Sequence, residues 1–337
     1  MTISTSDRTA LLALLERFPR QRVIMLGDLV ADESVYGEIT RVSREAPVLI
    51  LKERERQVAP GGGANAANNL AALGAHVIPV GVVGHDDSGH ALLQYFRERH
   101  ISTRHILRVQ DYLTPTKTRI LGGLSHWQRQ QIVRIDKEPA HPLKAEVRAR
   151  VTRAAAVLLG SSTGVLVADY GYSTTNAKEV GSFRRRAQRL ALPITIDSRY
   201  DLPTYKNLTA ATPNEPELEA AFNQPIGNDL ERLHTLGRKF LCRQGLRALL
   251  VTRGRDGMAL FEPHRPPCHL PIFGSDQAVD VTGAGDTVIA AFTLALAAGG
   301  GFLAAARIAN CAGGIVVMKR GTATVSLSEI TEAIRNA

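Results

Sequence analysis

Short runs of β-branched and aliphatic residues alternate with helix-length segments along most of this chain, and that alternation limits the fold more than any other feature. The clearest strand-like runs are Val23–Leu26, Val77–Val83, Gly164–Ala168, Ile194–Asp197, Leu249–Thr252 and Met258–Phe261. Helix-like stretches lie at Ala64–Leu73, Gly89–His100, Ala145–Leu159, Thr175–Ala191, Asp229–Gln244, Asp286–Ala298 and Phe302–Met318. A helix between two strands lets the chain cross back over the sheet, which parallel neighbours require. The pattern therefore predicts an α/β fold with a mostly parallel central sheet and helices on both faces. Two segments interrupt it: residues of about 36–52 and 116–136 hold the strand-like pieces Val48–Lys52, Lys117–Leu121 and Gln131–Asp136 without intervening helices. They are expected to form a small antiparallel β lid inserted into one domain spanning residues 1–337, since no repeat or long linker divides the chain.

Charge and composition narrow the partners. Lys and Arg number 41 against 32 Asp and Glu, a net charge of +9 that suits anionic ligands such as nucleotides and sugar phosphates. The basic residues are scattered, with no stripe interleaved with aromatics, so nucleic acid is not an expected partner. Cys242, Cys268 and Cys311 are too few and too far apart for a disulfide framework, which points to a reducing, cytoplasmic compartment. The apolar run Thr9–Leu15 lacks a cleavage site and reads as an amphipathic helix capped at Ser6 or Asp7, with Leu11, Leu12, Leu15 and Phe18 on one face. No stretch approaches the ~20 apolar residues of a membrane span, so no membrane partner is expected.

The strongest chemical signal is Asp280-Val-Thr-Gly-Ala-Gly-Asp286, followed at once by the helical run Thr287–Phe292. Glycines at 283 and 285 allow backbone N–H groups to converge, and a helix start there favours negative charge, which makes Gly283, Ala284 and Gly285 a candidate anion hole. A carboxylate beside such a hole would repel the anion unless it has work of its own. Asp286 is accordingly read as a general base for a hydroxyl that attacks phosphorus, against the plainer reading of an N-cap.

A second glycine cluster, Pro60-Gly-Gly-Gly-Ala-Asn65, opens the helix Ala64–Leu73. Gly61-x-Gly63-x-x-Ala66 imitates a dinucleotide fingerprint, and a nicotinamide dehydrogenase would rest on that motif alone. The better reading uses Gly61 and Gly62 for close approach to a polyol and Asn65 as donor and acceptor for its hydroxyls. Asp28 and Asp32 follow the first strand, at the carboxyl edge of the sheet where ligands gather, and are placed as sugar-hydroxyl acceptors, with metal ligation or loop capping as the alternatives. Asn214 and Glu217 of Thr212-Pro-Asn-Glu-Pro-Glu217 face the same side of a first helical turn; they suit either hydrated Mg²⁺ or a capping box. Thr252, Gly254 and Gly257, in a strand and turn, suit a nucleotide, and Asn310 lies on a helix face of small residues where adenine could approach the backbone. No Walker-type GxxxxGK[ST] occurs.

With these pieces in order, the chain resembles the ribokinase-like (PfkB) carbohydrate kinases over nearly its whole length. DVTGAGDTVIAAF is similar to that family's second signature, GGGANAANNLAALGA to its first glycine region and TPNEPE to its NxxE element. The resemblance implies a ribokinase-like fold, ATP as donor with Mg²⁺, Asp286 as catalytic base and a hole built from residues 283–285. It leaves a monovalent cation such as K⁺ open, and it implies a homodimer paired through the lid. Within the family, Gly27-Asp-Leu-Val-Ala-Asp32, Tyr36–Ser43, Glu45-Ala-Pro47 and Arg134-Ile-Asp136 resemble D-glycero-β-D-manno-heptose 7-phosphate kinases. These are the kinase half of bifunctional lipopolysaccharide-heptose enzymes, so phosphorylation of heptose 7-phosphate to the 1,7-bisphosphate is expected, by a chain with no room for the adenylyltransferase half. A phosphorylated substrate needs cationic partners, for which Lys117, Arg119, Arg134 and Arg199 are candidates. A kinase for a ketose, ribose or nucleoside stays open, as does a non-catalytic sugar-binding regulator on the same scaffold.

Overall fold

The computed structural model describes residues 4–123, 130–275 and 277–337, so that residues 124–129 of the second lid segment lie outside the described residues. In chain order the strands are β1 (Arg22–Gly27), β2 (Leu29–Val42), β3 (Leu49–Gly62), β4 (His76–Gly84), β5 (Ile106–Val109), β6 (Thr116–Gly123), β7 (Gln130–Lys137), β8 (Gly164–Asp169), β9 (Ile194–Ser198), β10 (Ala210–Ala211), β11 (Ala248–Thr252), β12 (Met258–Phe261) and β13 (Cys268–Leu270). The helices are α1 (Thr5–Leu15), α2 (Gly63–Ala72), α3 (Asp87–Glu98), α4 (Ala145–Leu158), α5 (Ala177–Arg189), α6 (Glu215–Phe222), α7 (Leu230–Gln244), α8 (Ala284–Ala297), α9 (Phe302–Val316) and α10 (Leu327–Arg335).

Nine strands form the central sheet in the order β13, β12, β11, β10, β9, β8, β1, β4, β5. Every pair from β11 to β5 is parallel, and only the edge strands β12 and β13 run antiparallel. Side chains alternate across a strand, and β1 illustrates the result. Val23 and Met25 pack into one core with α1, α2, α8, α9 and α10, while Ile24 and Leu26 pack into the other with α4, α5, α6 and α7. Both faces are covered, which is why these strands read as continuous apolar runs. Helix α8 is enclosed from Asp286 to Ala295, consistent with its lack of a polar face.

The lid is a four-stranded sheet in the order β3, β2, β6, β7. It is larger than the sequence pattern implied, because β2 starts at Leu29, directly after β1, and β3 runs on to Gly62. It is also not wholly antiparallel, since β2 pairs parallel with β6. The run Lys52–Gln57 is exposed and highly charged, so no apolar alternation marked this part of β3. Helix α1 is capped one turn earlier than expected, at Ser4, whose side chain accepts the Asp7 N–H at 3.1 Å. Leu11, Leu14, Leu15 and Phe18 form its buried face. No helix among the described residues is long and apolar enough to cross a membrane.

The junction of β1 and β2 depends on one glycine. Gly27 has φ +153°, and a Cβ there would sit 1.9 Å from the Ala168 carbonyl oxygen of β8. That oxygen accepts the Asp28 N–H at 3.0 Å, so the strands cannot part without losing the bond. Gly27→Ala is expected to cost about 3 kcal/mol, the upper end of overpacking penalties, read as a lower urea midpoint. An unchanged midpoint would contradict this account.

Candidate active site

Tyr170, Asp197, Asn214 and Thr252 stand at or just beyond the carboxyl ends of β8, β9, β10 and β11, the edge where open α/β sheets bind ligands. With Asp32, Lys117 and Arg119 from the lid they line a polar cleft of about 390 Å³. A second, mainly apolar compartment of about 270 Å³ lies against Gly254, Gly257, Met258, Val288, Asn310 and Gly313. The two share Thr252, Val281 and Gly285, so the start of α8 is the threshold between them.

That threshold is built by the Asp280–Asp286 segment. Asp280 accepts the N–H groups of Thr282 and Gly321, both at 2.9 Å, which fixes the turn. Gly283 takes φ +75° and caps α8, and a Cβ on it would meet the Asn65 amide nitrogen at 2.5 Å. The Ala284 N–H bonds to the Val281 carbonyl at 3.2 Å, so this expected member of the anion hole is occupied in closing the turn. Among the described residues the N–H groups of Gly283, Gly285 and Asp286 have no protein acceptor. A Cβ added at Gly285 would meet nothing within 4 Å, so the space in front of these amides is open.

Asp286 is the third residue of α8 and not its cap. Its carboxylate accepts from the Asn65 amide at 2.9 Å and, on the other oxygen, from the Tyr170 hydroxyl in a close contact. Burial raises its pKa to about 7; the Tyr170 hydrogen bond opposes the rise, and the Asp197 charge adds to it. The Tyr170 hydroxyl lies 3.0 Å from the Asp197 carboxylate as well. One phenolic proton cannot serve two acceptors, so this chain of three groups is complete only when one of the acids is protonated. Burial raises Asp197 to about 6, which fits that requirement. Behind Asn65 the polar chain continues through Asn69, which donates to the Asn65 side-chain oxygen at 3.1 Å and accepts from Thr287 at 3.0 Å. Tyr170, Asp197, Asn69 and Thr287 were not singled out from the sequence. Only Asn69 carried a signal, as an amide one helical turn after Asn65 and so on the same helix face.

The structure redistributes the expected sugar residues. Asp28 does not line the cleft: buried, it accepts the backbone N–H groups of Tyr170, Tyr172 and Thr174 at 2.8–3.0 Å and clamps the loop after β8. Asp32 does line it and pairs with Arg119 at 2.8 Å. Gly62 lines the cleft, whereas Gly61 lies against the Asp32 carboxyl and Asn65 is fully buried on Asp286. Gly61–Ala66 follows a lid strand and not the buried strand of a βαβ unit, so the dinucleotide reading loses its context. Arg134 is outside the cleft, on exposed β7, paired with Asp136 at 2.8 Å. Lys117 and Arg199 face the cleft together; burial, then the Arg199 charge, depress the Lys117 pKa.

Asn214 and Glu217 form a reciprocal capping box at α6, with bonds of 2.8 and 2.9 Å, and they line the cleft as well, so both readings of this pair hold geometrically. One Glu217 oxygen remains for the cleft. Burial, then the Asp197 charge, push its pKa up to about 7, while the Arg199 charge opposes the rise. Among the described residues no three His, Cys, Asp or Glu side chains gather closely enough to ligate a metal directly. The pair fits a hydrated Mg²⁺, which keeps most of its water, better than a dehydrated ion. In the apolar compartment Asn310 donates to the Pro271 carbonyl at 2.7 Å and so fixes the wall as well as lining it.

The pfkB family carbohydrate kinase description matches residues 23–330. The chain is 37% identical over 329 residues to the bifunctional protein HldE of Pelobacter propionicus, covering 97% of this chain and 66% of that protein. Against the bifunctional protein HldE of Haemophilus ducreyi it is 37% identical over 328 residues, with 95% and 65% covered. The chain thus spans slightly under two thirds of these relatives. Arabidopsis thaliana ribokinase complexed with ribose and ATP superposes with a TM-score of 0.72 at 19% identity, covering 94% and 99% of the two chains. Phosphofructokinase-2 of Escherichia coli in complex with potassium gives 0.72 at 15% identity, covering 94% and 98%. The family match over nine tenths of the length, together with the ribokinase-like fold, identifies the chain as a member of the pfkB family of carbohydrate kinases.

Proposed function

We propose that this sugar kinase transfers the terminal phosphoryl group of ATP to a hydroxyl of a sugar phosphate, with heptose 7-phosphate as acceptor and the 1,7-bisphosphate as product. The observation that carries the reading is the Asp286 carboxylate, held by Asn65 and Tyr170 away from its own helix and beside three unpartnered amides. A base needs a proton donor within reach, and the amides need an anion. A hydroxyl attacking a phosphoryl group supplies both.

In this mechanism the adenine lies in the apolar compartment along Gly254, Gly257 and Asn310, and the phosphates meet the N–H groups of Gly283, Gly285 and Asp286. Thr252 stands where the compartments join. Asn214 and Glu217 hold the hydration shell of Mg²⁺, which when bound offsets charge on the phosphates. The sugar lies against Asp32 and Gly62, and Asp286 takes its hydroxyl proton as the oxygen attacks phosphorus. Lys117 and Arg199, with Arg119 beside Asp32, support a substrate that already carries phosphate, because cationic side chains on the cleft wall match phosphate oxygens in charge. The lid excludes water, without which the donor would be hydrolysed. The lid also supports a homodimer: β7 is exposed along its length and presents Ile132, Val133 and Ile135 to solvent, as the neighbouring strands present Val42 and Leu49.

Asp286→Asn should lower kcat by ~10²–10⁴, the usual contribution of a general base, with ATP affinity nearly unchanged; ADP release assayed over a panel of sugars and sugar phosphates measures this and ranks the acceptors. Sugar binding with no ADP release from the parent protein would refute the kinase reading for this chain. Because the base must be ionised, kcat/KM should fall as pH drops through about 7. Tyr170→Phe removes a bond that favours the carboxylate and should move this limb to higher pH, while Asp197→Asn removes a repelling charge and should move it lower. Shifts in the same direction would contradict the arrangement. Val133→Glu with Ile135→Glu should convert a dimer to a monomer in light scattering while changing thermal stability little, since both residues are exposed.

A further inference from the structure

At the other end of the sheet, away from the catalytic cleft, lies a cavity of about 780 Å³ between the amino ends of β1 and β4 and the loop from α3 to β5. Its lining includes Arg20, Arg22, Arg99 and Arg104, together with the histidines at 76, 100 and 105, and contains no Asp or Glu. Arg56, Arg119, Arg148 and Arg253, elsewhere in the fold, pair with carboxylates. Among the described residues none of the four arginines here does.

The positions are built in by regular structure. Arg22 and His76 are register partners at the first rung of β1 and β4, so their separation is set by the sheet. Arg99 stacks on the Tyr95 ring, its guanidinium carbon 3.6 Å from the centroid, which holds the planar fork in place and leaves its edge for an anion. His100 closes α3 with φ +57°, a left-handed turn that directs the following Ser102–His105 loop along the cavity. Burial and then the Arg104 charge lower the His105 pKa.

We infer that this cavity is a second anion site, which takes a small metabolite bearing two or more phosphate charges. Unpaired, exposed guanidinium groups that line one concave space match phosphate oxygens in charge, and each can bind them with two parallel N–H groups. The volume falls within the range of about 300–1,000 Å³ typical of small-molecule pockets. A nucleic-acid backbone would instead need an extended basic track with aromatics for stacking, and no aromatic residue lines this space. Helix α2 runs from the site toward the catalytic centre: Ala71 lines the cavity near one end of α2, and Asn65 reaches Asp286 near the other.

Calorimetric titration of the full chain with inorganic pyrophosphate tests the inference. The parent protein should take up one equivalent more than the Arg22→Glu/Arg104→Glu double variant, whose turnover and thermal unfolding stay those of the parent. An Arg185→Glu control on the exposed side of α5 should keep that equivalent. Equal uptake by parent and double variant overturns the site, and so does an equal loss in the control, which marks a general effect of net charge. Should the double variant unfold, Arg104→Glu alone, in an exposed loop, carries the same comparison. ADP and fructose 1,6-bisphosphate separate the sources of phosphate: displacement of the extra pyrophosphate by either supports the site, and displacement by neither overturns it. A duplex oligonucleotide that outcompetes pyrophosphate through the same arginines also overturns it, in favour of a polymer.

Discussion

The hydrogen bond from Asn65 to Asp286 is the contact on which the rest of this molecule turns. Asp286 is an acid in the first turn of a helix that is otherwise enclosed in apolar side chains, a placement that is unfavourable unless partners and the helix start compensate for lost solvation. Asn65 comes from α2, which the chain reaches only after leaving the lid. The bond therefore joins the helix that follows the lid to the helix that carries the acid. Asn69 and Thr287 extend the join inward, so each polar group buried between α2 and α8 has a partner.

The parallel strands and covering helices were legible because burial on both faces leaves unbroken apolar runs such as Val77–Val83 and Gly164–Ala168. The lid was legible only in outline. β3, as long as its partner β2, passes through Lys52–Gln57, and a ribbon with little core to face carries no period that could mark its ends. β10 was illegible for another reason: two residues, Ala210 and Ala211, are too few for any pattern.

The site divided along similar lines. Asp286 and its glycines stood out because that local combination has few purely structural uses. Asp28 and Asp32 looked alike from the sequence, as acids beyond one strand, yet the loop at Tyr170–Thr174 folds back onto the first and leaves the second facing the cleft. No local rule foresees a contact made 142 residues away. Tyr170 was missed for the same reason, since its role exists only where β8, β9 and α8 converge. The Asn214–Glu217 pair is different again, because its capping bonds and its place in the cleft are both real. A substitution there disturbs the start of α6 and the polar wall together.

The way the lid is attached sets how it can move. β1 ends at Gly27 and β2 begins at Leu29, while β3 ends at Gly62 and α2 begins at Gly63. The β2–β3 ribbon has no slack connector at either end, and one end is pinned to β8 through Gly27 and Asp28, whereas residues 110–115 lead into β6 and residues 138–144 lead out of β7. Such an appendage behaves as a cantilever: it bends and twists along its ribbon instead of swinging on a hinge. Displacement along such a ribbon grows from root to tip, so residues near the base such as Asp32 keep their place.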